Sequence, residues 1–386
     1  MGTSAPAARL ARAGFAYFVV FVATAEALRS YFGAIAAGGA FFQTADWLIN
    51  YSDGFVRRGL FGSAYLALFP HGQAGLWVLF VVQVLLSAVP IVYAMAWLHR
   101  SSYGWLGIAL VCGPASLTFT GWDPAAFARK ESLALSALSL LAVAAFPDRR
   151  PGIRRALIIG ALILFTVGVF SWEGNALFLP GVAFLLFAGA SGRDSRWEDR
   201  LYLLVAALIA GSGMAFSVLF PGTATTSVAV CDSLRAKGLD RSQLCDGAIG
   251  YLSWTGDQML SVIRESFPLY WGYLPLMALS LLPIVSTRWF RAHWWLAIAC
   301  VVAVAPLFVV AADYGRWTSV LVVELVICLM ATHGTQTESN QWTPVASVLY
   351  VTTWGIPHWL APGMEWPWLG ALKEVTQFLA GHGPPW

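Results

Sequence analysis

Apolar residues run through this chain in blocks long enough to approach the width of a bilayer, separated by short polar turns. A helix needs about 20 apolar residues to span the hydrocarbon, or about 17 at the short limit. Eleven blocks come near that length: 13–30, 74–98, 103–119, 132–147, 155–171, 175–190, 201–220, 268–287, 293–312, 317–333 and 343–361. A further apolar piece, 59–69, is too short to cross and reads as an interfacial or re-entrant helix. The one long polar interruption, 221–267, falls between the seventh and eighth blocks. The pattern predicts an all-α, polytopic transmembrane bundle of about 11 helices. It forms one integral membrane domain over 1–386, with 221–267 as its only sizeable soluble part.

Composition agrees. The chain is 58% hydrophobic and 11% charged, where a soluble domain carries about 25% charged residues. Many of its 19 tryptophans fall near block ends, as interface belts do. A formal charge of +3 with no basic tract gives no reason to expect a nucleic-acid partner. The first block follows Arg9 and Arg12 and reads as a retained signal-anchor helix rather than a cleaved leader.

Orientation follows from the short loops. With Met1 inside, twelve arginines fall on the inner side, in stretches such as PDRRPGIRR, SGRDSRWEDR and STRWFRAHW. Seven basic residues fall on the outer side: Arg29, Arg57, Arg58, Arg129, Lys130, Arg316 and Lys373. The positive-inside rule therefore predicts a cytoplasmic N-terminus. The inner stretches read as solvated topology signals. The long loop and the C-terminal stretch MEWPWLGALKEVTQFLAGHGPPW then fall outside. Cys231 and Cys245 share the long loop, and a disulfide between them fits an oxidising compartment. It would staple short helices over the outer face, where they could form a lid. Cys112, Cys300 and Cys328 lie in apolar blocks and read as core.

The outer short loops differ from the inner ones in kind. They read DWLINYSDGFVRRG, GWDPAAFARKE, SWEGN and DYGRW, each compact, flanked by aromatic residues and carrying acid, base or both. Ionisable groups near the membrane are expensive and usually face a cavity or a partner, so four such loops on one face predict one polar site. Asp53 is the expected catalytic base, with Asp46 and Glu173 as rivals. Arg57 and Arg58 are the expected phosphate ligands, because an arginine fork binds phosphate through two hydrogen bonds and stays charged. Arg129, Lys130 and Arg316 extend that set, with Asp123, Glu131 and Asp313 in support. Each has a plainer reading beside this one. The arginines could snorkel to headgroups, Asp123 before Pro124 could cap a helix, and Asp313 could simply pair with Arg316. Glu26 and Glu324 lie inside apolar blocks, and His358 reads as an interface residue.

No Walker A sequence, dinucleotide-binding fingerprint, HExxH, CxxC or GxSxG is present. Carboxylates and arginines on one face remain. That inventory suits transfer of a sugar from a lipid phosphate, where cations stabilise the leaving group and one carboxylate takes the proton of the acceptor hydroxyl.

In layout the chain resembles the GT-C superfamily of membrane glycosyltransferases. The resemblance rests on the acids Asp46 and Asp53 in the first outer loop, Asp123 and Glu131 in the second, and a long outer loop at 221–267. It covers most of the chain as topology rather than alignable sequence. The adjacent acidic pair of that superfamily is absent, since Gly54 follows Asp53. The resemblance implies a polyprenyl-(pyro)phosphate-linked sugar as donor and a glycan, lipid or protein as acceptor. It places the enzyme in cell-envelope polysaccharide or glycoconjugate synthesis at the outer face of a bacterial inner membrane. A divalent ion, Mg or Mn, held by Asp53, Asp123 and Glu173, is compatible with such oxygen ligands. The chain also looks like O-antigen or exopolysaccharide polymerases, whose chemistry is close. A transporter or flippase for an anionic lipid or solute, and a structural subunit, are the competing classes.

Overall fold

A computed structural model describes residues 4–101, 104–146, 149–190, 196–239, 242–332 and 342–359. Among the described residues helices account for 80% and strands are absent. In chain order the longer helices are α1 (Ser4–Ala36), α2 (Leu60–Leu68), α3 (Gly72–Arg100), α4 (Gly104–Cys112), α5 (Glu131–Ala145), α6 (Pro151–Ser171) and α7 (Leu179–Ala190). They continue as α8 (Arg196–Leu219), α9 (Ala224–Ala236), α10 (Gly256–Ser266), α11 (Tyr270–Val285), α12 (Arg288–Val304), α13 (Tyr314–Thr332) and α14 (Pro344–Thr352).

Six segments are long and apolar enough to cross a membrane: Leu10–Ala36, Gly72–Arg100, Pro151–Ser171, Trp197–Leu219, Arg288–Val310 and Tyr314–Thr332. A seventh is possible if α10 and α11, joined at a bend of 82°, count as one broken span. The remaining expected blocks form shorter helices, for local reasons. The block at 103–119 stops at Cys112, before the Gly113–Pro114 step. That at 343–361 is helical only to Thr352, and residues 360 and 361 lie outside the described residues. The block at 175–190 begins as a 3-10 stretch, Glu173–Phe178, and becomes α-helical at Leu179. Prolines 275 and 283 stand within α11. The short apolar piece is the nine-residue α2. Arg193, Lys373 and the C-terminal stretch also lie outside the described residues.

Two helices form the centre. Every residue of α13 from Tyr314 to Ala331 is buried, and twelve of the fifteen residues of α5 are. A helix apolar on all sides must lie inside a bundle, and these two are ringed by α3, α6, α7, α11 and α12. Inside that ring, Glu324 of α13 accepts the Gly181 N–H at 2.8 Å. That N–H lies in the first turn of α7 and has no partner within its own helix, so Glu324 caps α7 from the side. Glu26 pairs with Arg29 one turn along α1, at 2.6 Å.

The inner arginine stretches are not all solvated. Arg154 is buried and bound to buried Asp199 at 2.5 Å, and Arg155 meets Glu198 at 2.6 Å. These two pairs lock α6 to α8. The long loop carries short helices and the Cys231–Cys245 disulfide, with Cα atoms 5.7 Å apart. It packs on the segment between α1 and α3. Ala248 N–H donates to Phe41 O, Asn50 to the Ser233 hydroxyl, and Gly72 N–H to Lys237 O. Cys112, Cys300 and Cys328 are buried thiols.

Candidate functional site

The central helices start at the same place. Glu131 opens α5 and Tyr314 opens α13. Their first turns meet because Arg316 donates from Nε to Glu131 Oε1. Arg316 also donates to Asp313 at 3.0 Å. Its guanidinium lies over the rings of Trp172 and Trp317, 5.0 and 4.9 Å from their centroids. The plain reading of the Asp313–Arg316 spacing holds, since a local pair forms, and the arginine also reaches past it to Glu131.

Lys130 ties three loops together. Its side chain is fully buried, and Nζ donates to Ser171 O at 2.6 Å, Arg58 O at 3.2 Å and Asp46 Oδ1 at 3.5 Å. An ammonium has three hydrogens, and all three have protein acceptors. Burial pulls the Lys130 amine down to about 8, against the opposing charge of Asp46. Burial alone would raise the Asp46 carboxyl, but Lys130 and then Arg58 hold it below the usual carboxylate range.

Glu173 closes the other side. It accepts from Arg58 Nε and Nη2 at 3.0 and 2.7 Å and from Arg57 at 3.5 Å. Burial opposes its charge, yet the pair with Arg58 pulls the carboxyl down to about 2. The cleft beside these three residues has a volume of about 10 Å³, barely enough for one water. Glu173 therefore pairs with Arg57 and Arg58 beside a very small space, although Arg57 Nε is buried with no hydrogen-bond partner.

Two residues here hold backbone conformations that cost non-glycine residues about 1–3 kcal/mol each: Arg58 at φ 71° and Ala128 at φ 60°. Surrounding bonds fix both. Arg58 O receives Lys130, and Ala128 O receives Trp47 Nε1 at 2.8 Å and Gln83 Nε2 at 3.0 Å.

Arg129 follows Ala128 and stands apart electrically. Among the described residues Arg57, Arg58, Lys130, Arg316 and His358 each have a carboxylate partner, whereas Arg129 makes no ion pair and its buried Nε no hydrogen bond. Its guanidinium lies 5.4 Å from the Phe42 ring centroid. Burial and the charge of Arg316 both press its pKa down. Arg129, Glu131 and Arg316 line the polar end of a cleft of about 90 Å³, room for several waters or one phosphate-sized group. Its walls are apolar: Pro90 and Ile91 of α3, Leu135 of α5, Val320 and Val323 of α13. Glu131 Oε2 is buried there with no partner. No residue of 221–267 lines this cleft, so the expected lid packs elsewhere.

Asp123 was expected to support the site, with helix capping as its plainer reading. Pro124 does open a 3-10 turn, Pro124–Ala126, but the carboxylate does not cap it. Instead Asp123 Oδ2 accepts from the backbone N–H and Nδ1 of His358, at 2.5 and 2.6 Å. The chain comes close here. A Cβ on Gly315 would meet Pro357 O at 1.8 Å, so only glycine lets the segment after α14 seat against the start of α13. His358, read from sequence as an interface residue, is thereby a site residue. Nothing in the sequence near His358 marks it out, because its partner lies 235 residues away.

Asp53 stands outside this network. It is exposed, and its Oδ2 accepts from the Thr226 hydroxyl of α9 at 3.1 Å. The three carboxylates expected to share a metal, Asp53, Asp123 and Glu173, are thus engaged by Thr226, by His358 and by Arg57 and Arg58. Among the described residues no three His, Cys, Asp or Glu form a group able to hold a metal ion.

What the arrangement offers chemically is an anion site at the head of an apolar cleft. Two helix N-termini, each with a partial positive charge, an uncompensated Arg129 and an ion-paired Arg316 converge beside a carboxylate oxygen free to accept a proton. No family model, curated protein or solved structure matches the chain.

Proposed function

We propose that this chain is a membrane glycosyltransferase that takes a sugar from a polyprenyl-(pyro)phosphate donor. The observation that carries this reading is Arg129: a partly buried guanidinium without a counter-ion, at the end of an apolar cleft. A phosphate supplies the missing charge and is about the size the cleft admits.

In this reading Arg129 and Arg316 bind the phosphate, and Glu131 is the base in place of Asp53. The acceptor hydroxyl oxygen attacks the anomeric carbon, and its proton passes to Glu131 Oε2. The anomeric C–O bond to phosphate breaks, and its electron pair leaves on the phosphate oxygen. Developing negative charge there is stabilised by the guanidinium groups in a water-poor cleft. No external acid is needed, because phosphate is already a good leaving group. Lys130, Asp46, Glu173, Arg57 and Arg58 hold the three loops in place. If a divalent ion takes part, donor phosphate oxygens would supply many of its ligands. The acceptor is a glycan, lipid or protein hydroxyl.

The reading includes the finer topology: the shorter helices also cross, the N-terminus is cytoplasmic, and the site faces outward across a bacterial inner membrane. The experiment is reconstitution of the full chain in nanodiscs with polyprenyl-phosphate and polyprenyl-pyrophosphate sugars, with release of the lipid phosphate as readout. Glu131→Gln should remove turnover while donor binding persists. Donor binding without turnover by wild-type protein, coupled to passage across a vesicle membrane, would favour a flippase instead.

A further inference from the structure

A second cavity adjoins this cleft, on neighbouring residues of α3 and one turn farther along α5. It has a volume of about 540 Å³ and lies between α3 and α5. These helices run side by side in the same direction, since residues 85–100 of one and 139–149 of the other share its walls. The helix α5 has fifteen residues, so its far end lies about 22 Å from Glu131. Arg100 and Arg149 stand at that end, and neither guanidinium has an ion-pair partner among the described residues. Leu140 and Val143 form the floor, and Leu85 and Val92, 63% and 66% exposed, form a rim that opens sideways to lipid. Ser139 and Tyr93 also line it, but the Ser139 hydroxyl is spent on Leu135 O and the Tyr93 hydroxyl is buried behind the wall.

We propose that this groove binds one anionic phospholipid of the surrounding bilayer, separately from any donor lipid. One acyl chain lies along α3 and α5, and the phosphate rests between Arg100 and Arg149. The choice of an anionic lipid over a zwitterionic one follows from the two unpaired arginines, because juxtamembrane basic residues attract acidic headgroups. A second lipid clamped on α3 and α5 braces the same pair of helices that wall the phosphate cleft, where Ser87, Pro90 and Ile91 of α3 line it.

The test uses the full chain in neutral detergent, titrated with phosphatidylglycerol or phosphatidylcholine of identical acyl chains and read by native mass spectrometry. The wild type should bind phosphatidylglycerol about tenfold more tightly or better, on the scale set by two basic groups near a headgroup. Arg100→Gln with Arg149→Gln should abolish that preference. Ala96→Trp, on an exposed lining position, should reduce binding of both lipids with the arginines intact. Equal affinity of wild-type protein for the two lipids would overturn the proposal, as would a preference that survives the double variant. Displacement of phosphatidylglycerol from the groove by polyprenyl phosphate at equal concentration would assign it to the donor and overturn it too.

Discussion

His358 gives both its backbone N–H and its ring Nδ1 to one oxygen of Asp123, at 2.5 and 2.6 Å. Burial opposes a charged imidazole, but Asp123 outweighs it and the His358 pKa rises. A raised folded pKa gives stability that is complete below the unfolded value of about 6.5 and is lost as pH rises through the folded value. Thermal unfolding of wild type and Asp123→Asn, followed from pH 5.5 upward, should therefore differ most in acid and converge as pH rises. The acid-side difference should be about 1.5–3 kcal/mol, the scale of a charged hydrogen bond. A gap that does not change with pH would exclude the charged pair.

Arg129 and Arg316 lie in one cleft yet should respond oppositely to replacement. Arg129→Gln removes a charge that no described carboxylate balances, so stability should hold or rise. Donor phosphate binding should weaken about 10- to 100-fold, the loss of a charge-assisted contact. Arg316→Gln strands Glu131 and Asp313 and should cost about 3–5 kcal/mol of stability. Unfolding curves and donor titrations on both variants decide the matter. Equal destabilisation would mean Arg129 has a structural partner after all.

Lys130 and Glu173 carry opposite pH signatures. The Lys130 amine is lowered to about 8 by burial, so its charge costs stability below that pH, and the cost is relieved between about 8 and the unfolded value of about 10.4. Wild-type stability should gain a component over that window that is missing in Lys130→Met. Glu173, lowered to about 2, stabilises above its unfolded value of about 4.3 and loses that contribution on acidification toward 2. Glu173→Gln should remove about 1–3 kcal/mol at neutral pH, a loss that shrinks as pH falls from about 4.3 toward 2 and is largely gone below it. Chemical denaturation across pH would expose either sign if reversed.

The disulfide closes 14 residues. A loop of about that length is stabilised by about 3 kcal/mol in the chain-entropy model. Cys231→Ser with Cys245→Ser should open 221–267 to limited proteolysis, as should reductant on the wild type. Cleavage in the α1–α3 segment should rise too, because Ala248 and Ser233 bind it.

The sequence made the membrane class, most helix positions and the pooling of four short charged loops legible. Hydropathy periods are local, and ionisable residues are rare enough in such a chain to stand out. Partner choice was not legible. Asp53 and Asp46 lie seven residues apart in one loop, yet one faces Thr226 and the other Lys130. Which carboxylate turns inward depends on contacts across 84 residues in one case and 173 in the other. His358 was missed because its acid is 235 residues away. Arg154 looked like a solvated topology signal because its buried partner, Asp199, lies on another helix. The eleven blocks were read by length alone, and two of them, holding Gly113–Pro114 and Pro180, form shorter pieces and turns.

The left-handed backbone at Ala128 has a consequence for how this protein can be improved. Glycine would adopt φ 60° without penalty, so Ala128→Gly should raise the melting temperature. The same freedom would let Arg129 wander, and donor affinity should fall as stability climbs. Selection for a sturdier protein and selection for a working one would then pull this single position in opposite directions, which makes it a sensitive place to measure the trade-off between endurance and activity.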